Sequence, residues 1–464
     1  MAATLERTIF RYPESIREAF VAGKGLSFGD GTEVSAAEIW TYLTEEAPRR
    51  FPYSFTLGAN VMTRISPDVT LFSGLKRTYL TLTLKDRVLK AHAKGIPVVL
   101  VQGGQTLDPY YAAGAIPLRP GFVIGWARDM QEGLNLRESD LRGVNILESG
   151  RNRVSMEACN QIAAHAAIDD GIIPIDLIAP YLCLRCSDMA YLVEAHRGKK
   201  ERPLQLIDQP IDQVGKPWAA ELVAAELRKL VLKIDSLTKT TTDEERFRRQ
   251  IALANRARAL AREIIQLGWD AKEPPLNSVD AAAVPSIAND FAGDPAATVQ
   301  VLEEMRDEVA LRVKNGVRGE GLPPNPKRLF ICGSCVGPNT TQVEAAGAAL
   351  VGRDDNWSCV FFDAEEEGDP YLATAKAILA YPYEQPTEAR AEWTVDMIKR
   401  SRADGVIFMY NWGCNFQTGI ARLLSDIVKE RSGLPTTFIE VGDLSRLEGT
   451  EQSGNRVEAF IEMI

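Results

Sequence analysis

Residues 327–351 read KRLFICGSCVGPNTTQVEAAGAALV, and this stretch decides the fold. KRLFI is a short apolar run bounded by turn formers, the pattern of a buried strand. A Gly/Ser/Pro turn follows, then a helix carrying AAGA, then a second strand. The same order occurs upstream. KGIPVVLVQGG (94–104) is a strand ending in a glycine turn, and DPYYAAGAIPL (108–118) is a short helix with a second strand entry. The two AAGA tetrads begin at Ala112 and Ala345. Chance likeness of two Ala-rich helix ends is one explanation; a repeated βαβ unit, and so two related α/β lobes, is the other.

Further β-loop-α units continue the pattern. IDLIAPYL (175–182) is a strand, and CLRCSDMAYLVEAH is its loop and helix. GVIFMY (405–410) is a strand, NWGCN its turn, and FQTGIARLLSDIVKERSG an amphipathic helix closed by Gly433; LPTTFIEV (434–441) is the next strand. Strands alternating with helices predict parallel sheets with right-handed crossovers. Between the lobes, 218–235 has helical apolar spacing. The next helix has a predicted capping box, Thr242 with Glu245, and ends at Gly268. Residues 270–298, rich in Pro, Ala and Asp, read as irregular connection, and GVRGEGLPPNPKR (316–328) as a linker. The expected fold is therefore α/β: two Rossmann- or flavodoxin-like parallel-sheet lobes with a helical segment between them. The expected boundaries are a mixed N-terminal segment (1–84), a first lobe (85–215), a helical region (216–315) and a second lobe (316–464).

Composition bounds the function. The chain has 464 residues, enough for two or three domains of about 100–200 residues each. Its 53 Lys and Arg against 63 Asp and Glu give a net charge of −10, which disfavours a nucleic-acid backbone as partner. No stretch approaches the ~20 apolar residues of a membrane span, and the first residues lack the apolar core of an export signal. A cytoplasmic protein is expected. Three histidines, His92, His165 and His196, poorly supply imidazole-based zinc chemistry.

The seven cysteines are more informative. An odd count with no export signal points to metal or thiol chemistry rather than a disulfide framework. Cys183 and Cys186 follow one predicted strand, Cys332 and Cys335 end another, and Cys414 lies just beyond a third. In open parallel sheets, ligands bind outside the carboxyl ends of the strands. Cysteines of both lobes can therefore converge on one crevice, which Cys159 can also reach from ahead of its helix. Thiolate-rich ligation suits zinc or iron–sulfur clusters. The two CxxC pairs are too far apart for a compact zinc ribbon, so a cluster between lobes fits better. The bland alternative, small buried hydrophobes, applies best to Cys359 in the apolar run NWSCVFF, predicted as strand. VQGGQTLDP and GSCVGPN match neither nucleotide-phosphate fingerprint. AEEEGD (364–369) reads as a solvated loop.

These residues are similar to a known family. From about Lys85 to the C-terminus the chain resembles the iron–sulfur subunits of 2-hydroxyacyl-CoA dehydratases and ATP-dependent benzoyl-CoA reductases. The likeness is carried by DGVIFMYNWGCN (404–415), GLPTTFIEVGDLSR (433–446), EQSGNRVEAFIEMI (451–464), IDLIAPYLCLRCSDM (175–189) and DPYYAAGAIPL. It implies one 4Fe–4S cluster per chain, held by Cys159, Cys186 and Cys414, with Cys183, Cys332 and Cys335 as alternates. It implies a paralogous iron–sulfur subunit, an acyl-CoA substrate, and ferredoxin or flavodoxin upstream. ATP would enter only through a separate ATP-hydrolysing iron–sulfur activator. Neither a nucleic acid nor a membrane is expected as partner.

Family members often carry an acidic residue after the proline of the early signature, whereas Pro109 here precedes Tyr110 and Tyr111. With the turn NWGCN, this departure points first to low-potential ring reduction of an aryl-CoA. Dehydration of a 2-hydroxyacyl-CoA through a ketyl radical is the alternative. Six cysteines would also suffice for a double-cubane reductase, separable by counting about eight irons per chain rather than about four. A fully thiolate-ligated cluster would mark a non-catalytic electron relay.

Overall fold

The computed structural model describes residues 9–56, 64–103, 106–130, 136–155, 158–168, 171–182, 186, 188–199, 202–210, 213–333, 340–411, 414–441 and 451–464. The N-terminal segment is helical around one short ribbon. It comprises α1 (Arg17–Val21), antiparallel strands β1 (Leu26–Ser27) and β2 (Glu33–Val34), α2 (Ala36–Thr41), α3 (Ala47–Arg50) and α4 (Phe72–Ala93). Ser35 and Glu38 form a reciprocal capping box at the start of α2. Phe20, Trp40, Phe51 and Phe55 are buried in the same continuous apolar core as residues of both sheets.

The first lobe runs β3 (Val98–Gln102), α5 (Asp108–Ala112), β4 (Ile116–Leu118), α6 (Pro120–Asp129), α7 (Leu136–Arg151), α8 (Asn160–Ala166), β5 (Leu177–Leu182), α9 (Met189–Lys199) and β6 (Ile207–Asp208). All its strand pairs are parallel, in the order β4-β3-β5-β6. β3 is buried throughout, as a strand covered on both faces must be.

Four helices follow: α10 (Pro217–Thr238), α11 (Glu244–Asp270), α12 (Ser278–Asp290) and α13 (Pro295–Asn315). The buried residues of α10, among them Ala220, Val223, Leu227, Leu230 and Ile234, recur at three- and four-residue intervals and make one stripe. α11 packs on α12, α13 and α5.

Two expectations change here. The cap of α11 is Asp243, whose carboxylate accepts the Arg246 amide at 2.7 Å. Thr242 instead gives its amide and hydroxyl to Asp235, at 2.9 and 2.6 Å, closing the corner with α10. The stretch 270–298 is not irregular: α12 is capped by Asn277, and α13 by Asp294. Pro285 lies inside α12, and a proline in a helix interior costs ~3 kcal/mol. Burial of Val279, Val284 and Ile287, at ~1.5–3 kcal/mol each, outweighs it. The 316–326 stretch does lack regular structure.

The second lobe runs β7 (Lys327–Cys332), α14 (Thr340–Ala345), β8 (Ala348–Arg353), α15 (Pro370–Ala380), α16 (Thr387–Ser401), β9 (Gly405–Asn411), α17 (Asn415–Ser432), β10 (Thr436–Val441) and α18 (Glu451–Met463). Its sheet, β10-β9-β7-β8, is again parallel. Counted within each lobe, both sheets have the order 2-1-3-4, the flavodoxin-like arrangement. The two four-stranded parallel sheets, separated by helices, are the predicted α/β architecture.

The AAGA repeat marks the same corner twice. α5 ends at Ala112 and α14 at Ala345, and the strands resume at Ile116 and Ala348. Gly114 and Gly347 make the turns at φ +81° and +91°, a region open to glycine at little cost. Cys359 lies in a 3-10 helix, Asn356–Phe361, rather than the predicted strand, because Asp355 caps that turn; it is buried as expected. The AEEEGD loop exposes Glu365, Glu366 and Glu367. No helix among the described residues is long and apolar enough to cross a membrane.

Candidate functional site

A 2-1-3-4 sheet changes winding direction between its first and third strands, here β3/β5 and β7/β9. The crevice outside their carboxyl ends is where such folds bind ligands. Among the described residues, Cys332 stands at one of those ends, and Cys159, Cys186 and Cys414 lie in the segments next to them.

In the first lobe, Cys159 is the N-cap residue of α8. Its amide donates to the buried Asp188 carboxylate at 2.7 Å. Cys186, half-buried, packs against the apolar cluster that contains Cys159, Ile162, Met189 and Leu192. Residues on either side of β5 thus share one seat. Helices in a parallel α/β layer run opposite to the strands, so the α8 N-terminus lies at the carboxyl edge.

The second lobe is built differently. Cys332 ends β7 and is fully buried; burial, and then Asp354, push its thiol well up from the ordinary range. The next amide, Gly333, donates to Asp354 at 2.7 Å. Asp354 is paired with Arg390 of α16, itself fully buried, at 2.8 and 2.9 Å. The Arg390 guanidinium lies 4.3 Å from the centre of the Tyr383 ring, and Tyr383 also bonds Gln417 of α17. This network fixes the exit of β7. A Cβ on Gly333 would meet the Met409 carbonyl at 2.9 Å, so β7 and β9 approach closely there. Cys414 is the half-buried N-cap residue of α17, immediately outside β9.

A buried polar group lies beneath these edges. Asp108 of α5 pairs with Arg258 of α11 at 2.6 Å, tying the first lobe to the helical layer. Tyr110 and Tyr181 are both fully buried, with their hydroxyls facing each other. Burial drives both phenols upward. Neither ion pair is visible as a motif: Asp108 and Arg258 are 150 residues apart, and Asp354 and Arg390 are 36 apart.

The structure therefore brings Cys159 and Cys186 to one cluster, and Cys332 and Cys414 to the carboxyl edge of the other sheet. Cys183, Cys335 and Trp412 lie outside the described residues. Among the described residues, no group of three or more His, Cys, Asp or Glu side chains gathers to hold a metal ion. Thiols are soft donors of the kind iron–sulfur clusters take, and Cys159 and Cys414 each precede a helix. A comparison with curated proteins returns no match. The profile of one family, the 2-hydroxyglutaryl-CoA dehydratase D-component, matches residues 109–464, from the early proline signature to the last helix, and the chain belongs to that family.

Proposed function

We propose that this chain is the iron–sulfur subunit of a complex that reduces the ring of an aryl-CoA thioester at low potential. Cys159, Cys186 and Cys414 are the ligands of one 4Fe–4S cluster, with Cys183, Cys332 and Cys335 as alternates. When bound, the cluster supplies low-potential electrons and an open iron able to polarise a thioester oxygen.

The observation that carries this reading is the common seat of Cys159 and Cys186, with Asp188 holding the Cys159 amide between them. The protein's part is positional. Asp188 fixes the start of α8, and the apolar side chains around the two cysteines exclude water. The Arg390–Asp354 pair holds the exit of β7.

The early signature favours reduction over elimination. Dehydration calls for a carboxylate able to move a proton, whereas the position after Pro109 holds Tyr110, fully buried with its phenol driven up. The neighbouring carboxylate, Asp108, is committed to Arg258. Dehydration of a 2-hydroxyacyl-CoA is the second reading, favoured by the family's description. A D-component implies companion subunits. We assign these as a paralogous iron–sulfur subunit and an ATP-hydrolysing activator, fed by ferredoxin or flavodoxin in the cytoplasm.

The test is an assay of the anaerobically purified complex, with activator, on benzoyl-CoA and on a 2-hydroxyacyl-CoA. Consumption of benzoyl-CoA with loss of aromatic absorbance is expected. Turnover of the hydroxyacyl-CoA alone would establish the second reading.

A further inference from the structure

The core uses one face of α10 and leaves a second apolar face to solvent. The buried stripe packs against α5, α15 and β6. On the opposite side, Trp218 is 53% exposed, Leu222 38% and Leu232 67%. With Ala225, Lys229 and Ser236 they recur at alternating four- and three-residue steps, the spacing of a coiled-coil seam. Single exposed apolar residues are ordinary on a surface. Here they stand in register along one helix, on the side where a helix packed only on its own core is polar.

The charges beside this seam specify its partner. One flank carries Glu221 and then Arg228; the other carries Glu226 and then Lys233. On both flanks the acid comes first and the base one heptad later. Two such helices laid parallel would set Glu221 against Glu226 and Arg228 against Lys233, like charge on like. Laid antiparallel, each flank meets its own copy reversed, so Glu221 meets Arg228 and Glu226 meets Lys233. Arg228 already holds Asp369, and Glu226 holds Lys229 at 2.7 Å. Glu221 and Lys233 are exposed and form no ion pair among the described residues. Each new contact therefore joins an unpaired charge to a paired one. Size agrees with charge. In the antiparallel register that sets Leu222 on Leu232, Trp218 falls on Ser236 and the Lys229 stem on Ala225, long side chain opposite short.

We propose that α10 is a self-association surface, through which two copies of this chain pair antiparallel about a two-fold axis at the level of Leu227. Both copies give the same residues, so the contact closes on itself as a dimer. The 22 residues of α10 span ~33 Å. A single helix pair of that length lies at the small end of specific interfaces, below about 1,200 Å², so the dimer dissociates on dilution. The proposal does not rest on the cluster, and its test needs neither iron nor activity.

Sedimentation velocity of the full chain from about 1 to 100 μM tests it, a range that brackets the affinity of small interfaces. A monomer–dimer equilibrium is expected. Leu232→Glu, at the most exposed position of the seam, should weaken association about tenfold or more with an unchanged melting temperature. Glu221→Arg, which sets like charge on Arg228 of the second copy, should weaken it about tenfold, and Glu221→Asp should not. A wild-type chain that stays monomeric throughout, or a Leu232→Glu or Glu221→Arg variant that dimerises as wild type does, would each overturn the proposal. In the first case the seam would belong to a companion subunit of different sequence.

Discussion

The Asp188 carboxylate accepts the Cys159 amide at 2.7 Å, so the residue two places after Cys186 sets the position of a residue on the far side of β5. Asp188 is buried, and a hydrogen bond to a charged acceptor contributes about 1.5–3 kcal/mol. Asp188→Ala is therefore expected to lower stability by about 1–3 kcal/mol and to cut the iron retained per chain. Asp188→Asn, which keeps an acceptor oxygen, should recover most of both. Thermal unfolding and iron analysis on the same samples check this; full iron retention in Asp188→Ala would disconnect the contact from the proposed cluster.

The cysteines divide by role. Cys159→Ala, Cys186→Ala and Cys414→Ala are each expected to reduce iron content and activity at least tenfold. Cys359→Ala should leave both intact, because Cys359 is a core residue of a 3-10 turn. Its cost is a small cavity, about 1 kcal/mol. Iron and sulfide counts of the four variants decide the matter, and wild-type iron in Cys414→Ala would remove that ligand from the set.

Arg390 and Asp354 are both fully buried, so removing one partner strands the other's charge. Arg390→Met should cost about 3–5 kcal/mol in denaturant unfolding. The double variant Arg390→Met with Asp354→Leu should recover only part of this, because the Gly333 amide then loses its acceptor. Full recovery would mean that the pair does not hold the β7 exit.

Two groups oppose each other in their pH dependence. Burial raises Asp290 from 3.8 to about 6, so between those values the folded state binds the extra proton and stability rises as pH falls. His165 is lowered from 6.5 to about 3, so there the unfolded state binds the extra proton and stability falls as pH falls. The two slopes largely cancel between about pH 6 and 4. Asp290→Asn removes one of them and keeps an acceptor for the Ala292 amide. The variant should be about 1–2 kcal/mol more stable than wild type at pH 8 and gain nothing at pH 4. Denaturant unfolding at the two pH values measures the difference.

Local sequence determined a great deal. Short apolar runs ending in glycine turns placed β3, β7 and β9, because a strand covered on both faces must be apolar throughout and the chain must then reverse. The AAGA tetrads located both helix-to-strand corners, since only glycine turns there without strain. Where two residue types compete for one local role, as Thr242 and Asp243 do for a cap, or where a proline interrupts a helix as in α12, pattern alone misled. The winner was set by contacts with α10 and with the core.

The sequence alone fixed that cysteines follow the strands and that two like sheets form, because both facts depend on neighbours within a few residues. Tertiary structure alone decided that Cys159 and Cys186 share one cluster anchored by Asp188, and that Arg258 neutralises Asp108. Those depend on which distant helices pack together, and burial of apolar surface has no direction that a local pattern can record.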